Sequence, residues 1–186
     1  MLINWQKLSE IKELKPYFIE NREHFQARIQ YHLEALQQIP SQELEKLAII
    51  RVLEVTNGCT QWAFRRQDEN CLSLEQTREC MKQVMGFIKN KKIVLSPDKI
   101  IEFPPAIESL IDDSRKLYQD AFKNNVAGAE EEFYAYSTAL FLVCGHQRLE
   151  KAMELVNQEF ESLFTTYYLE KGRRYIAPYL EALTPD

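Results

Sequence analysis

Glycine occurs only five times in this 186-residue chain. Average usage would place about 13 in a chain of that length. Tight β-turns rely on glycine for positive φ, so an all-β fold would lack residues for its corners. The same scarcity removes familiar catalytic loops: no G-x-G-x-x-G, G-x-x-x-x-G-K-[ST] or G-x-S-x-G occurs. The expected fold is all-α, a single-domain bundle of six or seven helices over residues 1–186. A division into sub-bundles is expected, if anywhere, near residues 103–105, at Pro104 and Pro105.

Apolar spacing places the helices. Trp5, Leu8, Ile11 and Leu14 recur every three residues and predict a first helix over 4–14. Phe18, Phe25, Ile29, Leu33 and Leu36 form the stripe of a second helix from Pro16 to Gln38. A third starts at Gln42, with Ser41 suited to its N-cap. Its stripe runs through Asn57 and Gly58, a pair that also signals a hairpin. The 3.6-residue period continues past the pair, so one long or two successive helices are favoured over a hairpin across 51–64.

Ser73 and Gln76 have capping-box spacing and predict a fourth helix ending at the lysines of 89–92. Residues 93–97 read as a connector. A fifth helix is expected over 106–123, with Tyr118, Ala121 and Phe122 on its buried side. The longest apolar stretch, 133–144, is too short to span a bilayer, which needs about 20 residues. It predicts a buried central helix, loosened or ended by Gly145. A further helix is expected over 146–170 with Gly172 as its C-cap, then a short helix from Tyr175 to Leu183 and a polar tail.

Function is less legible. Net charge is −5, unlike the basic surplus of most nucleic-acid binders. Between residues 130 and 170 lie eight acidic and two basic residues, so the rest of the chain sums to about +1. Basic clusters at Arg65 and Arg66, at 89–92, and at Arg173 and Arg174 leave nucleic-acid contact as a lesser expectation. The cysteines, Cys59, Cys71, Cys80 and Cys144, show no C-x-x-C or C-x-x-H spacing, so no metal site or cofactor is expected. The N-terminus has no signal-peptide pattern, and the chain reads as cytoplasmic with no membrane association.

Two constellations are candidates for function. Phe164, Tyr167, Tyr168, Tyr175 and Tyr179 crowd the C-terminal region, and Trp62 stands apart on the third helix. Tyrosine and tryptophan are enriched at interfaces, so the leading expectation is a non-catalytic interaction or regulatory protein. It would bind another protein, or itself, through these rings. The second is a ligand or metal pocket inside the bundle. Glu20 and His24, and His146 and Glu150, are each four apart and share a helix face; His32 borders an apolar stripe. Exposed polar pairing accounts for the same pattern.

Overall fold

The computed structural model describes residues 2–183. Among them are seven helices: α1 (Trp5–Ser9), α2 (Lys15–Leu36), α3 (Ser41–Arg66), α4 (Leu74–Asn90), α5 (Pro105–Phe122), α6 (Ala129–Glu159) and α7 (Thr166–Glu181). Two short strands, β1 (Lys92–Ser96) and β2 (Lys99–Glu102), form one hairpin between α4 and α5. The polar tail falls outside the described residues.

Helix α6 is the axis of the bundle. It packs against α2, α3, α5 and α7, and every residue from 135 to 144 is buried. A helix surrounded on all sides has no polar face to keep, which is why the apolar run carries no 3.6-residue alternation. Each fully buried Leu or Phe there contributes about 1.5–3 kcal/mol relative to exposure. Buried residues from both sides of Pro104 and Pro105 join one core, from Leu8 to Leu183. The ends meet: the Asn4 amide donates to the Ala182 carbonyl at 2.7 Å, and Ile3 bridges Leu183.

Local chemistry sets the boundaries. The Ser73 side chain accepts from the Gln76 amide while Gln76 accepts from the Ser73 amide, so the capping box forms at α4. Gln67 and Lys91 take left-handed conformations and end α3 and α4. At Gly145 φ is 78° and ψ 168°, and α6 kinks there without stopping. Pro40, one residue before the expected position, occupies the N-cap of α3 and offers no side-chain capping bond. The Ser41 hydroxyl accepts instead from Arg148 Nη2 at 2.5 Å.

Helix α3 runs unbroken through Asn57 and Gly58, the single long helix favoured over a hairpin, because the stripe around them is buried against α6 and α7. Three expectations are corrected. Residues 93–97 belong to a hairpin, where Ile93 turns into the core and pairs with Ile101. The expected helix over 146–170 is broken across 160–165, because Phe160 and Phe164 both turn into the core. Gly172 is no C-cap. It lies within α7, facing Thr56 of α3.

Candidate interaction surface

The C-terminal aromatics are mostly interior. Phe164, Tyr168 and Tyr179 are buried, which corrects the expectation that they form a binding surface. The inward face of α7 consists of Tyr168, Gly172, Ile176, Tyr179 and Leu180, a helical stripe that closes the core beside α3 and α6. Tyr179 packs on Phe141 with ring centroids 4.7 Å apart. The Tyr168 hydroxyl accepts from the Leu72 amide at 2.7 Å and donates to the Asn70 carbonyl at 2.9 Å. Tyrosine serves here as core filler with a satisfied polar tip.

Three of the six expected contact residues reach solvent. Tyr167 and Tyr175 are half-buried, and Trp62 is 55% exposed. The Arg66 guanidinium lies 4.5 Å from the Trp62 ring, and Lys171 Nζ lies 4.6 Å from the Tyr167 ring. Lys171 also pairs with Asp68 at 3.1 Å. Two clusters far apart in sequence thus meet on the α3 and α7 surfaces.

The three histidines do not converge, which corrects the pocket expectation. Helix α2 bends at Asn21 (φ −155°, ψ 90°), whose side chain accepts from the His24 amide and recaps the second half. From that half, His24 reaches Glu131 at 3.5 Å. Arg28 grips Glu132 with two hydrogen bonds, 2.6 and 3.1 Å, and His32 bonds the same carboxylate. Tyr17, before the bend, donates to Glu130 at 2.7 Å. Glu20 is exposed and bonds none of the histidines. His146 pairs within its own helix with Glu150 at 3.6 Å. It lies 14 residues beyond Glu132, about 20 Å along α6.

The electrostatics of this seam suit a clamp. Partial burial opposes the Glu132 charge, but bonds from Arg28 and His32 outweigh it and hold the carboxyl below its ordinary range. Burial, then the bond to Glu130, pushes the Tyr17 phenol well above its ordinary value. Carboxylates at α6's first turn also complement the helix dipole. Among the described residues, no group of three His, Cys, Asp or Glu side chains is placed to hold a metal ion.

The exposed aromatic surface lies elsewhere, where α5 ends and α6 begins. Tyr118 is 48% and Phe122 39% exposed, and Val126 stands out from the loop between the helices. Tyr118 meets Phe122 at 5.1 Å and Phe133 at 5.7 Å; Phe122 meets Phe133 at 5.4 Å. The ring chain continues inward through Tyr134, Tyr17 and Phe25, with centroids 5.6 and 5.3 Å apart. Sequence reasoning placed Tyr118 and Phe122 inside. They continue the α5 stripe of Ile107 and Ile111, but α6 offers only its first turns at that end.

An open groove of about 260 Å³ lies between α4 and β1, lined by Glu79, Lys82, Gly86, Phe87, Lys92 and Val94. No helix among the described residues is long and apolar enough to cross a membrane. Comparison of the chain with protein-family models, curated proteins and solved structures gives no match.

Proposed function

We propose that this chain is a non-catalytic, cytoplasmic interaction protein that binds another protein through the aromatic surface of α5 and α6. The carrying observation is the set of contacting rings Tyr118, Phe122 and Phe133, two of them exposed, at the outer end of a chain of rings rooted in the core. Rings held by neighbours lose little entropy on docking, and contiguous exposed apolar patches mark interaction sites. The cysteines are free thiols, which suits a reducing compartment.

The test is the double variant Tyr118→Lys/Phe122→Lys, compared with the unaltered chain by proximity labelling and sedimentation. The expected result is loss of a specific bound protein with unchanged circular dichroism and melting temperature. An unaltered chain that sediments as a dimer dispersed by the variant would make the partner a second copy. If the chain is a monomer and both forms label the same proteins, the proposal fails.

The paired cations and rings of Trp62 and Arg66, and of Tyr167 and Lys171, support a second reading: contact with single-stranded nucleic acid. It requires affinity for an oligonucleotide that falls with salt and with Trp62→Ala. Absence of binding at low salt removes it.

A further inference from the structure

Helix α4 turns a second patterned face to solvent. Leu74, Met81 and Met85 are exposed, at spacings of seven and four residues that place them on one strip. The strip spans about 16 Å, close to three helical turns. Arg78, Lys82 and Lys89 follow one border, all exposed. Beyond that border lies the groove where Lys82 and Gly86 of α4 face Lys92 and Val94 of β1. Arg78, Lys82, Lys89 and Lys92 form no ion pair among the described residues. The neighbouring Lys91 and Lys99 are taken by Asp112 at 2.5 Å and Glu159 at 3.1 Å. Against these four cations stand Glu75 and Glu79 of α4, the latter lining the groove, and Glu102, opposite Lys92 in the hairpin register.

We propose that this face of α4 is a docking site for an acidic amphipathic helix of a partner protein. A three-turn apolar strip beside a groove matches the anchors of a helix laid into a groove. Unbranched methionine adapts to varied partner side chains. The row of unpaired cations along one border sets the complementary charge, an Asp- or Glu-bearing flank. A second copy docked antiparallel and face to face is disfavoured, because that two-fold contact would set Arg78, Lys82 and Lys89 against themselves. A bilayer is disfavoured too: the strip holds no Trp or Phe, and the cations border only one side. The face is separate from the α5 and α6 aromatic patch and stands without it.

The probe is a displayed library of amphipathic helices with randomised flanks, selected on the full chain. The expected winners carry Asp or Glu on one flank. They bind Met81→Asp/Met85→Asp and Lys82→Glu/Lys89→Glu about tenfold or more weakly, and their affinity falls with salt. These four positions are exposed, so circular dichroism is expected to be unchanged. Binding to Tyr118→Lys/Phe122→Lys is expected to be intact, which separates this result from any failure at the aromatic patch. Winners with neutral or basic flanks, or winners indifferent to both α4 variants, would overturn the proposal. So would a chain that binds no displayed helix but takes up phosphatidylserine vesicles or oligodeoxythymidylate through the same α4 residues.

Discussion

A Cβ added to Gly172 would stand 2.8 Å from Thr56 Oγ1, closer than real Cβ contacts come. The hydroxyl has little room to yield, because Thr56 is buried and donates to the Val52 carbonyl at 2.8 Å. The glycine therefore sets how closely α7 approaches α3. Overpacking costs about 1–3 kcal/mol, and alanine returns about 1 kcal/mol of helix propensity. Gly172→Ala is expected to lower stability by about 1 kcal/mol in urea titration, and Thr56→Ala is expected to relieve most of that in a double-mutant cycle. Gly58→Ala, in the same α3 with open space around it, is expected to raise stability by about 0.5–1 kcal/mol.

Tyr168 joins α7 to the segment before α4 through its two hydroxyl bonds. Tyr168→Phe keeps the ring but leaves the Leu72 amide and Asn70 carbonyl without that partner. The expected loss is about 1–3 kcal/mol by equilibrium unfolding. Hydrogen exchange should show it first at the Leu72 amide.

Glu132 makes the bundle acid-sensitive. Its carboxyl titrates lower folded than unfolded, so its contribution is present above the unfolded value near 4.5 and is lost as pH falls through the folded one. Melting temperature is expected to fall on acidification below about pH 4.5. Glu132→Gln is expected to be less stable at pH 7 and to show a shallower acid limb. An unaltered acid limb would show that Arg28 and His32 do not hold this carboxylate in solution.

Cys144 is buried in the central run of α6, and burial pushes its thiol up to about 12. The thiolate, the reactive form, is scarce at neutral pH. Iodoacetamide followed by mass spectrometry is expected to label Cys144 only after unfolding, and Cys71, which is half-exposed, in the native protein. Cys80 is also buried and donates to the Leu163 carbonyl at 3.1 Å, so it should follow Cys144.

Spacing of apolar side chains and scarcity of glycine were sufficient for the helical class, the central helix and the capping box at Ser73. These are local properties: a 3.6-residue stripe or a cap is complete within one segment of chain. Whether an aromatic ring lies inside or outside is not local. Tyr168 and Tyr179, eleven apart, and Tyr118 and Phe122, four apart, all lie on helical stripes. The first pair meets α3 and α6, while the second pair meets only the first turns of α6. The histidines show the same division. The i, i+4 pairing of His146 with Glu150 was readable along one helix. The meeting of His24, Arg28 and His32 with Glu131 and Glu132 depended on how α2, bent at Asn21, crosses α6. Only tertiary packing decided those contacts, because the burial of a side chain depends on which other helix occupies the space it points into.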